Sequence, residues 1–154
     1  MGRLSKRCST ISLPTVVVAD ANVVLSALIG GRARLVIASA HGPRCLAVDA
    51  VAIEIARHAA PLGEKRKLDP ALLLAALQVM PIEWKAATEY EDHREQAESR
   101  IAPRDPDDWP TLALALKLCV PIWSQDKDFS TAGVEVVTTG ELLDSLRAAG
   151  HDLR

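Results

Sequence analysis

The sequence predicts a single α/β domain built on a mostly parallel central sheet flanked by helices. Three observations carry that prediction. Short apolar, partly β-branched runs at 15–19, 44–48, 121–124 and 134–137 alternate with longer stretches of helical character. No hairpin turn of the Asn-Gly kind joins any two of them, so neighbouring strands are expected to be connected by helical crossovers. The chain has 154 residues, 49% hydrophobic and 25% charged, which suits one folded domain rather than a disordered segment.

The elements follow in order. Residues 1–13 form a basic lead without periodicity, expected as a flexible tail, and 14–150 form the domain. Thr15-Val-Val-Val-Ala19 is the first strand, its continuous apolar run fitting a strand buried on both faces, and it ends at Asp20. Asn22 to Ile29 reads as a helix stopped by Gly30-Gly31, and Arg32 to Ala40 as a second, stopped by Gly42. Arg44 to Val48 is the second strand. Asp49 is expected to cap the next helix, which runs to about Ala60 before Pro61 ends it. Asp69-Pro70 starts another helix, with Asp as the cap and Pro in the first helical position. Val79 to Trp84 is a short strand that Pro81 places at an edge or at the strand's start. Thr88-x-x-Glu91 has the capping-box pattern for a charged helix reaching about Ile101. A loop over 104–110 leads into an apolar helix, Thr111 to Leu118, and then to the strand Pro121 to Ser124. After the last strand, Thr138-x-x-Glu141 caps a closing helix that Gly150 stops.

Composition excludes several classes of function. A formal charge of −2 does not fit a protein that coats nucleic acid by charge alone. No apolar run approaches the ~20 residues of a membrane span, and Ser12, Pro14 and Thr15 interrupt the one candidate h-region, so a cytoplasmic protein is expected. Cys8, Cys45 and Cys119 lack metal-site or redox spacing, and Cys45 and Cys119 are expected as buried small hydrophobes. The histidines are scattered and have no marked nucleophile beside them. Any chemistry therefore falls to carboxylates.

Those carboxylates sit at strand ends. Asp20 terminates the first strand, and Glu54 lies on the helix after the second. Asp105, Asp107 and Asp108 precede the apolar helix, and Asp126 and Asp128 follow the third long apolar strand. In a parallel sheet the carboxyl ends share one edge, which is where ligands bind. Singly, each acid has an ordinary explanation: an Asx turn for Asp20, a helix cap for Asp108, a turn for Asp126, a solvated helix position for Glu54. Together they would repel one another without a cation among them. Hard oxygen donors select Mg²⁺ or Mn²⁺. A metal held this way lowers the pKa of bound water and neutralises charge on a phosphate oxygen, which is the chemistry of phosphodiester hydrolysis.

The ordered set Val-Val-Ala-Asp20-Ala-Asn22, Glu54, Asp105-Pro-Asp-Asp108-Trp-Pro and Ile-Trp-Ser124-Gln-Asp126-Lys-Asp128-Phe resembles a PIN-domain nuclease over about residues 15–145. The resemblance implies a Mg²⁺- or Mn²⁺-dependent endoribonuclease, similar to VapC-type toxins of type II toxin–antitoxin pairs. It implies metal ligation by Asp20, Glu54, Asp108 and Asp126, the last through water. Asn22 would shape the neighbouring loop, and Ser124 would hold the acids or a metal water. Asp105 and Asp107 compete with Asp108, which is favoured because the apolar helix follows it directly; Asp128 competes with Asp126. The resemblance also implies an RNA substrate, a homodimer and a cognate antitoxin protein as partners. The apolar helices over Val23 to Ile29 and Leu35 to Ala40 hold more apolar surface than one helix face buries, in keeping with a dimer.

Arg104, Arg32 and Arg34 are candidates for phosphate contacts, with Lys65, Arg66, Lys67, Arg94 and Arg100 behind them; ordinary solvated faces explain any one of these equally well. Trp109 is a candidate base-stacking residue or a packing residue. Two other functional classes share parts of the pattern. Asp20-Ala-Asn22 is similar to the start of a haloacid-dehalogenase-like phosphatase, but Asn22 cannot shuttle a proton there. A receiver-type phosphoacceptor or a catalytically inactive PIN module that only binds RNA or a partner is the non-enzymatic alternative.

Overall fold

The strands of the computed structural model are β1 (Val16–Ala19), β2 (Arg44–Val48), β3 (Ile82–Lys85), β4 (Ile122–Trp123) and β5 (Val136–Val137). They form one sheet in the order β3-β2-β1-β4-β5, and every neighbouring pair is parallel. The structure describes residues 13–101 and 105–153. Of the basic lead at 1–13, only Leu13 falls among them, packed against the core.

The helices are α1 (Ala21–Leu28), α2 (Ala33–Ile37), α3 (Asp49–Arg57), α4 (Ala59–Arg66), α5 (Pro70–Val79), α6 (Arg94–Ile101), α7 (Trp109–Leu118) and α8 (Thr139–Ala148). The chain moves outward from β1 through β2 to β3, then returns to the other side of β1 for β4 and β5. Right-handed crossovers put outward and return connections on opposite faces of the sheet. Accordingly α1 packs with α2 and α3, whereas α7 lies across β1, β2 and β4 with α6 beside it. α7 is buried from Pro110 through Ala115, and Val17, Val18, Ala19, Ile122 and Trp123 of the central strands are sealed from water.

The strand order fixes where a ligand can enter. The direction of winding reverses between β1 and β4, so their carboxyl ends diverge into loops on opposite faces and leave a crevice. Asp20 follows β1, Ser124 follows β4, and the two face each other across that switch point.

Several local expectations are corrected. Asp49 is not the cap of α3: the N-cap position is Val48 and Asp49 is the first helical residue, its carboxylate engaged by the Tyr90 hydroxyl instead. Pro61 does not end a helix. The break comes at His58, and Pro61 sits in the first turn of α4, where its missing N–H is one the helix would leave unpaired anyway. The Thr88–Glu91 capping box does not form, because Thr88 lies inside a 3₁₀ turn, Ala87–Glu89, and Glu89 reaches back to the Ala86 N–H. A second 3₁₀ turn intervenes before α6 starts at Arg94. α2 stops at Ile37, short of Ala40. α7 begins at Trp109 rather than Thr111, with Pro110 tolerated in its first turn. Cys119 is exposed: it ends α7 with φ 56°, a left-handed position outside the core. Cys45 is buried, which pushes its thiol up to about 12 and leaves it unreactive.

Other boundaries follow the sequence pattern. Asp69 accepts from the Ala71 N–H with Pro70 opening α5. Thr138 and Glu141 form a reciprocal box at α8, and Gly150 follows that helix with φ +87°, a turn glycine adopts without a Cβ clash. β3 is one of the two edge strands, and Pro81 lies immediately before its first residue, Ile82.

Candidate functional site

Four polar residues are buried among those described: Asp20, Thr111, Ser124 and Thr139. Buried polar groups are the informative exceptions in a core, and each needs a partner. Asp20 and Ser124 supply one another: the Ser124 hydroxyl donates to Asp20 Oδ2 at 2.5 Å across 104 positions of chain. Asp20 Oδ1 accepts from the Val23 N–H at 2.9 Å, so the carboxylate also caps α1 and lies at the positive end of that helix. Ser124 Oγ in turn accepts from the Asp126 N–H at 3.0 Å. One fully buried hydroxyl thus joins the acid after β1 to the loop after β4.

Behind this pair, α3 descends from the end of β2 and carries Glu54 into a cleft of about 400 Å³. Asp107, Asp108, Trp109 and Thr111 line its other wall, and Ala21, the residue after Asp20, lines its floor. Glu54 also borders a smaller hollow of about 100 Å³ shared with Asn22 and Ala21. The acids Glu54, Asp107 and Asp108 therefore open onto one space next to Asp20. Asp105 is exposed, and its carboxylate accepts from the Asp107 N–H at 3.0 Å, fixing the 3₁₀ turn Pro106–Asp108 that leads into α7. Asp126 is exposed beyond Ser124. The side chain of Asp128 and all of Arg104 lie outside the described residues. Arg32 and Arg34 are exposed around α2, past the far end of α1 from Asp20, and do not line the cleft.

Two cleft residues, Tyr90 and Arg57, escaped the sequence reading. Tyr90 is buried, donates to Asp49 Oδ1 at 2.6 Å, and packs edge-on to Trp109 with ring centroids 5.7 Å apart. Burial first, and then the Asp49 carboxylate, raise its phenol above the ordinary value, so it stays a neutral donor. Arg94 was one of many surface cations; its guanidinium lies 4.6 Å from the Trp109 ring centroid, so one face of that indole is occupied by a cation. Arg57 lines the cleft from the last turn of α3. Nothing in local spacing marks Tyr90, whose partner is 41 positions away, but Arg57 stands three residues after Glu54 on one helical face, a usable signal.

A larger hollow of about 500 Å³ lies at the opposite edge of the sheet, over Val16 and Arg44 where β1 and β2 begin. Its cations are already engaged, Arg44 with Glu83, Lys85 with Glu89 and Lys117 with Asp92. The chemistry-bearing groups are at the carboxyl edge.

A family model described as PIN domain matches residues 18–147. The chain belongs to the PIN-domain family. No curated protein sequence matches it closely enough for comparison. PIN domains are in general nucleases, hydrolases acting on nucleic acids with divalent metal ions. In this PIN domain the donors at the carboxyl edge are carboxylate and hydroxyl oxygens, the set that suits a hard divalent cation. Among the described residues no three His, Cys, Asp or Glu side chains are grouped closely enough to hold a metal ion. The donor chemistry fits; Glu54, Asp107 and Asp108 line an open cleft. No helix among the described residues is long and apolar enough to cross a membrane.

Proposed function

We propose that this PIN domain is an endoribonuclease dependent on Mg²⁺ or Mn²⁺, acting in the cytoplasm as the toxin of a type II toxin–antitoxin pair, with residues 14–150 as the catalytic unit. The observation that carries the reading is the Asp20–Ser124 hydrogen bond across the β1/β4 switch point, with Glu54 and Asp108 on the adjoining cleft. A buried acid tied to a neighbouring strand end is held in one orientation, as a metal ligand must be held.

Asp20, Glu54, Asp108 and Asp126 would hold the ion. Bound there, a divalent cation makes water a nucleophile near neutral pH and neutralises charge on the phosphate. Ser124 keeps Asp20 aimed into the crevice and fixes the backbone at Asp126. Asp105 shapes the turn that presents Asp107 and Asp108, and Asn22 borders Glu54. Tyr90, anchored on Asp49, supports Trp109 as the cleft wall. A homodimer and a cognate antitoxin are the protein partners this reading carries.

The test incubates the purified chain with end-labelled single-stranded RNA in Mg²⁺, Mn²⁺, Zn²⁺ or EDTA. Internal cleavage with Mg²⁺ or Mn²⁺, lost in EDTA and not restored by Zn²⁺, is expected. Cleavage at an unchanged rate in EDTA overturns the carboxylate–metal reading.

A further inference from the structure

Arg57 is the one cation among the described residues lining the acidic cleft. It lies three positions after Glu54 on α3, so both side chains project from the same face of that helix. Cα–Cβ bonds in a helix tilt toward its N-terminus, and α3 starts at the carboxyl end of β2. Arg57 shares the cleft with Glu54 and with Val48, the last residue of β2. Five other cations among the described residues, Arg44, Lys85, Arg94, Lys117 and Arg147, each sit within 4.0 Å of a carboxylate. Arg57 makes no ion pair among the described residues, although Glu54 is one helical turn away.

An RNA strand entering this cleft meets Glu54, Asp107 and Asp108, all of its own sign. A bound cation at the acids offsets part of that repulsion at the reacting phosphate only. A neighbouring phosphate needs its own counter-charge, and a guanidinium suits it because its planar fork donates two parallel hydrogen bonds to phosphate oxygens. We propose that Arg57 is the phosphate-binding residue of the cleft, contacting a backbone phosphate of single-stranded RNA next to the one that is cut. The proposal rests on the ribonuclease reading and adds to it the group that holds the strand.

The experiment follows binding of a fluorescein-labelled short single-stranded RNA to the full chain by anisotropy, in Ca²⁺ and in EDTA, across a salt series. Arg57→Gln is expected to weaken binding about tenfold, as loss of a charge-assisted contact does, and to reduce the slope of log K against log salt by about 0.7, one phosphate's share on a single strand. Arg57→Lys should keep the slope and lose part of the affinity, since a point charge replaces the fork. Arg57 is exposed, so both variants should keep the wild-type melting curve. RNA binding by the wild type with an unchanged affinity and slope in Arg57→Gln overturns this assignment and leaves the nuclease reading standing. A wild-type chain that binds no RNA in either buffer overturns both.

Discussion

Ser124 is a hydroxyl with no exposed surface, between a carboxylate it donates to and a backbone N–H it accepts from. Removing it leaves Asp20 Oδ2, itself on a residue only 8% exposed, without that donor. Ser124→Ala should therefore cost about 1.5–3 kcal/mol of stability, the range for a hydrogen bond to a charged group, read as a lower midpoint in urea unfolding. Asp20→Asn is different in kind. The amide oxygen still accepts from Val23 and caps α1 about as well as aspartate does, so the fold should persist. The lost negative charge should remove divalent-metal affinity and RNA cleavage together. Near-normal turnover in that variant would show that Asp20 is not the ligand from β1. The same exchange at exposed Asp126 should be milder if that acid works through water.

The element that decides the third acid is the 3₁₀ turn running into α7. Asp105 is committed to the Asp107 N–H, and Pro106 fixes its own φ, so the turn stands before any ion binds. Asp107 and Asp108 face the cleft, but Asp108 abuts α7, whose buried body immobilises it. Replacing each acid by Asn and measuring Mg²⁺ affinity by calorimetry should rank Asp108 costliest by at least tenfold, or about 1.4 kcal/mol. If Asp105→Asn is the most damaging, the ligand lies one turn earlier. This turn also shows how far the sequence was readable. The strands, their parallel direction and the acids after them were legible because buried strands and helix stops leave local composition signals, whereas the strand order was not. The cap at Asp69 and the box at Thr138–Glu141 were legible for the same reason. The Thr88–Glu91 box was not, because Glu89 competes for the same backbone region in a 3₁₀ turn. Nor was the Tyr90–Asp49 bond, which depends on the β2–β3 register bringing distant loops together. Tyr90→Phe tests its weight: it leaves Asp49 without its phenol donor, and thermal unfolding should show a loss of about 1–3 kcal/mol.

At the scale of the whole molecule, apolar surface remains on the early helices, where Leu25, Leu28, Ile29, Leu35 and Ile37 are half-buried, and a second stretch of it lies on α5. Val23, Val24 and Ala27 of α1 and Ala33 and Val36 of α2 are buried within the chain. The two most exposed large apolar side chains among the described residues are on α5, a ten-residue helix without a charged residue, where Leu72 is 68% and Val79 81% exposed. With Ala75 between them, these residues follow an i, i+3, i+7 stripe, and Leu68 extends it at 40% exposure. Leu73 and Leu77 on the opposite side already serve the core, so the stripe is surplus to folding. A two-fold interface sets a patch against itself, which a charged face resists and this face does not. An antiparallel pairing of two α5 helices about Ala75 and Ala76 would bring Leu72 over Val79 of the second copy on both sides, with small residues allowing close approach at the centre. A standard interface takes about 800 Å² from each partner, more than one short helix supplies, so the dimer should be concentration-dependent. Light scattering over a dilution series should show a dimer at high protein concentration that dissociates on dilution. Leu72→Glu with Val79→Glu should hold the chain monomeric throughout without lowering its melting temperature, because neither side chain is part of the core. A wild-type chain that is monomeric at every concentration removes the second copy from this face, and a dimer that survives the double substitution moves the interface off α5.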